Sequence, residues 1–290
     1  MSGIPGPGAG RLTVVLLAVV SAVLAHPWRS TNDRWALGIA VAVVLVSLLW
    51  WRGRYLTTIA GQRLRVLLHR KPIQSAPADL HWAGADVIST VLVRVDSRDR
   101  ELPLDVVAGY LDRYGLRCDS VRVTTRSTQA DVTTWIGLTF SGARNLSALQ
   151  GRSAQMPLRQ TAENAARRLI GQLCEIGWTA TIADPEQVPD LVTAGARERW
   201  QSVTDARGYL TTYAVKAPEA LAAVSSAAAA ETWTVVEIAG TSRHDRIRAG
   251  AAIRTESRPT APLPGLVPIP GRQASALAAL HPLSGARLVN

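Results

Sequence analysis

Residues 11–52 read RLTVVLLAVVSAVLAHPWRSTNDRWALGIAVAVVLVSLLWWR. Arg11 and Arg29 bracket seventeen residues without a charge, and Arg34 and Arg52 bracket another seventeen. The link between them is Arg29-Ser-Thr-Asn-Asp-Arg34. Seventeen helical residues reach about 25 Å, close to the lower limit for crossing the hydrocarbon. Helix is the expected form, because an unpaired backbone amide is costly in lipid. Trp28, Trp35, Trp50 and Trp51 stand at the ends of the two segments, where indole rings favour the headgroup level. The stretch predicts a transmembrane hairpin with spans Leu12 to Trp28 and Trp35 to Trp51.

Orientation follows from charge. Arg52, Arg54, Arg63, Arg65, Arg70 and Lys71 come after the second span with no acid among them. The link holds only Arg29, Arg34 and Asp33. The positive-inside rule then places the long remainder in the cytoplasm, and two spans return the N-terminus to the same side. A cleaved signal peptide, with Leu12 to Ala25 as its apolar core and Val23-Leu24-Ala25 before the cut, is the competing reading. A second span with a basic exit follows at once and disfavours it.

The formal charge of the chain is +10, and net +8 of it lies up to Pro72. The rest is nearly neutral. A nucleic-acid-binding domain gathers its basic residues on a folded face with interleaved aromatics. Here they follow a span, so attraction to anionic lipid headgroups is the more economical account. Cys118 and Cys174 are the only cysteines. In a cytoplasmic domain they read as small hydrophobes rather than as a disulfide.

Residues 1–11 form a tail, 12–52 the hairpin, and 53–77 a basic juxtamembrane segment with an amphipathic helix over Tyr55 to Leu68, followed by a linker. In 78–184, Val87 to Val95 predicts a buried strand. Pro103 opens a helix that Gly115 is placed to end. Residues 119–126 and the stretch around Ile136, Leu138 and Phe140 form a hairpin across the polar turn Ser127 to Asp131. Gly142 to Pro157 is irregular. A helix carries Ala162, Ala165, Ala166, Leu169, Ile170 and Leu173 on one face and stops at Gly177. Trp178 to Ala183 is a strand. The order strand, helix, strand, strand, helix, strand is that of a split β-α-β sandwich.

In 185–258 a short helix leads to Trp200. Strand Tyr209 to Val215, helix Pro218 to Glu231, and strands Thr232 to Ala239 and Arg246 to Glu256 then repeat strand, helix, strand, strand. Residues 259–290 hold a Pro-rich extended segment, a helix over Gln273 to Leu280 and a tail. The fold class is a membrane-anchored α+β protein: an N-terminal two-helix transmembrane hairpin, then a cytoplasmic α/β sandwich with a mixed or antiparallel sheet.

No phosphate loop and no Gly-x-Ser-x-Gly elbow occurs. His26, His69, His81, His244 and His281 do not stand at metal-ligand spacing. Asp96-Ser97-Arg98-Asp99 follows a strand, but Arg98 and Arg100 oppose a cation there, and a solvated loop is the plainer reading. His244-Asp245-Arg246 reads as a turn. Glu163 and Glu175 have Arg167 and Arg168 as ion-pair neighbours. Trp178, Trp200 and Trp233 read as core or interface residues. No catalytic, cofactor-binding or metal-binding constellation emerges, and no cofactor is implied.

The short Gly/Pro N-terminus, the two close-spaced spans, Trp50-Trp51-Arg52-Gly53-Arg54, Trp135-Ile136-Gly137-Leu138-Thr139-Phe140 and the Thr161 to Trp178 helix together resemble EccE. That family is the membrane component of mycobacterial ESX (type VII) secretion systems, and the short length is similar to the form in the iron-linked system. The resemblance implies a structural inner-membrane subunit that assembles with EccB, the ATPase EccC and EccD, without catalysis of its own. Small residues Ala18, Ser21, Ala22, Gly38, Ala40 and Ala42 permit close helix packing. Two other readings stand beside it. A membrane-anchored glycosyltransferase-like enzyme needs Asp96, Asp99 and Asp184 to converge. A lipid-surface adaptor uses Arg52 to Lys71.

Overall fold

Runs of Val, Ile and Thr supply most of the sheet, because branched side chains pack well on a pleated surface. The computed structural model describes residues 80–83, 86–96, 102–155, 157–216, 220–225, 227, 229–240, 246–258 and 262–289, with isolated positions between 16 and 63. They fall into two compact units, Met1–His69 and Arg70–Asn290.

In the first unit, residues 16, 17, 20, 38, 39 and 41 are helical, and Leu16, Leu17, Val20, Ile39 and Val41 are exposed. Strand β1 (Trp50–Trp51) pairs antiparallel with β2 (Arg54–Tyr55). The expected second span ran as helix to Trp51. Extended backbone replaces it there, and Gly53, a weak helix former, lies between the two strands in sequence. The rest of the expected hairpin and most of the juxtamembrane segment lie outside the described residues. Among the described residues no helix is long and apolar enough to cross a membrane.

The second unit is built on one antiparallel sheet. Strands β3 (Leu80–Ala83) and β4 (Asp86–Asp96) precede helix α1 (Leu104–Ala108). A short hairpin strand, β5 (Asp112–Arg113), leads into β6 (Leu116–Thr128) and then β7 (Val132–Ser141). Helices α2 (Leu146–Gln150) and α3 (Leu158–Glu175) and strand β8 (Thr179–Ile182) complete the first half. In the second half come β9 (Arg197–Glu198), β10 (Val203–Asp205), β11 (Gly208–Val215), α4 (Ala220–Ser225), β12 (Glu231–Ala239) and β13 (Arg246–Thr255). Strand β14 (Leu266–Pro268) and α5 (Gln273–Leu280) follow.

Strands β8, β4, β7 and β6 lie side by side, the arrangement of a split β-α-β sandwich. Strands β11, β13 and β12 repeat the first-strand, third-strand, second-strand order. The two halves join where β6 pairs antiparallel with β12, so the second strand of one half lies against the second strand of the other. Strands β10 and β14 both pair with the outer side of β11.

Alternation along the strands divides the core between two faces. On one face Val93, Val121, Val123, Ile136, Leu138 and Ile238 are covered by Val107 of α1 and by Ala162, Leu169 and Leu173 of α3. Farther along, Tyr213, Val215, Ala249 and Ala251 pack with Val224 of α4. On the opposite face Leu92, Trp135, Leu210, Trp233 and Val235 pack under Leu277 and Leu280 of α5 and under Leu283 and Leu288. Helix α3 buries the face spelled by Leu158, Ala162, Ala165, Ala166, Leu169 and Leu173, a spacing of one helical turn. It ends at Gly177, whose φ of +86° suits glycine, with Trp178 N–H donating to the Leu173 carbonyl at 2.9 Å.

Several expectations need correction. Helix α1 is shorter than its pattern: a 3-10 turn over Gly109–Leu111 and strand β5 intervene before Gly115. The stretch Gly142 to Pro157 contains α2. The segment leading to Trp200 is a 3-10 turn, Pro185–Gln187, and strand β9, because its prolines and Gly195 leave no run for a helix. The Pro-rich stretch supplies edge strand β14, and proline is tolerated on an edge.

Candidate functional site

The charged residues that matter most are inside. Arg122 of β6 and Glu237 of β12 are register partners and form an ion pair at 3.0 Å, each nearly fully buried. Arg122 also donates to the carbonyls of Ser284 and Ala286, the latter at 2.6 Å. Glu237 accepts the Leu288 N–H at 3.0 Å and faces Arg287 at 3.3 Å. Thus residues 281–288 are tied to the middle of the sheet by one cation and one anion. Burial pushes the Arg122 guanidinium down, while the attraction of Glu237 opposes this. Gly137 of β7 makes the close approach possible: a Cβ there would lie 2.9 Å from the Pro282 carbonyl oxygen.

A second network lies along the strands. Arg254 bridges Glu231 at 2.8 Å and Asp205 at 2.7 Å, and Arg126 reaches Glu231 at 2.6 Å. Burial raises both carboxyls, but the bonds they accept win. Those from Arg126 and Arg254 hold Glu231 low. For Asp205 the donors are the Thr193 backbone and Arg254. Arg126 also lies over the ring of Trp233, which stacks on Trp135 at 6.0 Å. Each charge is spent on another charge or on a carbonyl, so these groups act as internal ties and not as reagents.

His281 is fully buried. Desolvation, with Arg122 second, pushes its imidazole down to about 4, and Nδ1 accepts the Leu283 N–H at 3.2 Å. Burial pushes the Cys118 thiol up to about 12, so it behaves as a small apolar group. Cys174 is free and exposed.

Of the acids to watch for an enzyme, the two described ones, Asp96 and Asp184, do not converge. Asp96, paired with Thr179 in register, sits at one end of the β4–β8 ladder. Asp184 follows the other end, where it accepts the Glu186 N–H at 3.0 Å. Asp99 lies outside the described residues, as do His26, His69, His244 and Asp245. Asp96 lines a polar hollow of about 240 Å³ with Arg94, Asp131, Thr133, Thr179 and Thr181, where Arg94 opposes a bound cation. Among the described residues no His, Cys, Asp and Glu group is arranged to hold a metal.

Glu163 pairs with Arg159 and Arg167 as the helical spacing predicts, whereas Arg168 instead stacks on Tyr114. Trp178 and Trp233 are core residues. Arg122, Glu231, Glu237 and Arg254 were not singled out from the sequence. Their signal was a charge in the middle of a branched run, as in Thr234-Val235-Val236-Glu237-Ile238, which demands a buried partner.

The family model described as "Putative type VII ESX secretion system translocon, EccE" matches residues 128–215, from the end of β6 to the end of β11. A relative named ESX-3 secretion system protein EccE3, from Mycolicibacterium smegmatis, is 42% identical over 285 residues, 96% of this chain and 89% of the relative. Proteins of the same name from two strains of Mycobacterium tuberculosis are 46% identical over 307 residues, 99% of this chain and 89% of each relative. With identity of that level over nearly its whole length, the chain belongs to the EccE family of type VII (ESX) secretion system components.

Proposed function

We propose that the chain is a structural subunit of an ESX-3-type secretion complex in the inner membrane, contributing membrane and cytoplasmic contacts and no catalysis of its own. The observation that carries this reading is the extent of the match to the ESX-3 relatives, 96% and 99% of the chain. The interior supports it, since the buried charges tie the fold together.

The partners in this reading are EccB, the ATPase EccC and EccD. Two spans, Leu12 to Trp28 and a second that starts at Trp35 and stops before strand β1, anchor the subunit with both termini cytoplasmic. Two features support an anchor here: the uncharged segments, and the exposed apolar side chains of Leu16, Leu17, Val20, Ile39 and Val41 at helical positions. Such side chains are covered by lipid or by neighbouring helices. The basic stretch Arg52 to Lys71 adds attraction to anionic headgroups.

Purification of the full chain in mild detergent tests the assignment. A large complex that contains an ATPase subunit is expected, and a solitary chain would refute it. Ala18→Leu together with Ala22→Leu should release the subunit from that complex; undiminished co-purification would remove the role given to the spans.

A further inference from the structure

Strand β5 turns into β6 through Tyr114 and Gly115, with φ of +57° and +71°. Arg113 and Leu116 close this two-residue turn in register. Both central residues are left-handed, the geometry of a type I′ turn, which Asn, Asp or Gly ordinarily fills. Tyr114 is the one described non-glycine residue with positive φ. An ordinary side chain is strained there. Tyr114 is nevertheless 47% exposed, and its ring meets Tyr110 edge to face at 6.4 Å.

Three guanidinium groups converge on it. Arg168 of α3 lies 4.4 Å from the ring centre, and Arg113 lies 5.2 Å from it. Arg152 donates to the Tyr114 carbonyl at 3.3 Å and to the Ala148 carbonyl at 2.8 Å. Arg113 is fixed by a bond to Gln172 at 2.8 Å, and the Tyr110 hydroxyl donates to the same oxygen at 3.3 Å. Among the described residues, no carboxylate forms an ion pair with Arg113, Arg152 or Arg168. The acids on the same elements are Asp112, opposite Arg117 in the hairpin, Glu163, paired with Arg159 and Arg167, and Glu175, seven residues beyond Arg168. Other arginines of the domain do form ion pairs, as in Arg144–Asp119 and Arg167–Glu163.

We propose that Tyr114 with Arg113, Arg152 and Arg168 is a docking site for an acidic segment of a partner protein. Planar guanidiniums held in fixed positions suit paired carboxylate oxygens of defined geometry, more than a fluid layer of headgroups. Tyr and Arg are the residues that dominate protein interface hot spots. The site lies in the cytoplasmic unit and rests on the reading of the chain as an assembly subunit.

The test uses the full chain in its native membrane, with benzoylphenylalanine in place of Tyr114. Irradiation is expected to join it to a protein segment in which Asp and Glu outnumber Lys and Arg. Arg113→Ala with Arg168→Ala should lower the yield about tenfold or more. Tyr114→Gly relieves the backbone strain, so the isolated subunit should melt no lower than wild type while the complex it forms dissociates more readily. Adducts confined to lipid, to a second copy of the chain or to a segment without acidic excess would overturn the proposal. So would a yield unaffected by the arginine substitutions, or a Tyr114→Gly subunit that loses its own stability. Co-purification with the ATPase-containing complex is read separately, so loss of the adduct alone leaves the subunit assignment standing.

Discussion

Arg122 and Glu237 face each other across the joint between the two halves of the sheet, and the same two side chains hold residues 284–288. Removing one partner leaves the other charged and buried. Glu237→Gln should therefore destabilise the fold by about 3–5 kcal/mol. The shift is measured as the urea midpoint of the full chain in detergent, followed by tryptophan fluorescence. A change below 1 kcal/mol would show that the tie is dispensable.

Two glycine substitutions form a matched pair. Gly137→Ala places a methyl against the Pro282 carbonyl, which is backbone and cannot rotate away. It should cost about 1–3 kcal/mol and open residues 281–289 to proteases. Gly171→Ala on α3 meets nothing within 4 Å. It should stabilise by about 0.5–1 kcal/mol, because alanine is the better helix former. Limited proteolysis with mass mapping separates the two.

Stability should fall in acid through two windows. The His281 pKa is depressed in the folded state from 6.5 to about 4, so the unfolded chain binds the proton first. Its contribution is complete above pH 6.5 and is lost as pH falls toward 4, by up to about 3 kcal/mol. Glu231 and Asp205 are also depressed, and their contribution is present above their unfolded values and lost as pH falls through the folded ones. His281→Leu should flatten the upper window and leave the lower one. Denaturation midpoints from pH 7 down to pH 3 would read both.

Arg254 serves Glu231 and Asp205 together, so its effects are not additive with theirs. A double-mutant cycle of Arg254→Ala and Asp205→Ala should give a coupling energy of about 1–3 kcal/mol. Additive losses would mean that the two groups do not share an interaction.

Much of the sheet was legible because its strands alternate. Val121 and Val123, and Ile136 and Leu138, announce one buried face, and the helical spacing of Ala162 to Leu173 announces its cover. The other face was not legible, because its cover is brought from far along the chain: Leu277, Leu280 and Leu283 reach Trp135 and Trp233. Without that cover, Arg122 and Thr124 read as the polar side of a half-exposed strand. Helix ends were harder. Gly109 and Tyr110 tighten into a 3-10 turn where the pattern continued to Gly115, a local choice made by packing and not by period. The Tyr114 site left no trace in sequence, since neither a left-handed tyrosine nor an unpaired arginine changes periodicity.

Residues 281–288 are synthesised after every strand of the sheet they cover. Until they emerge from the ribosome, the Arg122–Glu237 pair lacks three of the backbone groups that surround it, and Trp135 and Trp233 lack their lid. Contacts that join residues more than 150 positions apart form late, after much loop-closure entropy has been lost. The domain is thus completed by a segment made after all the strands it covers. A subunit whose synthesis stops before that segment presents an open sheet face, marked for rejection rather than for assembly.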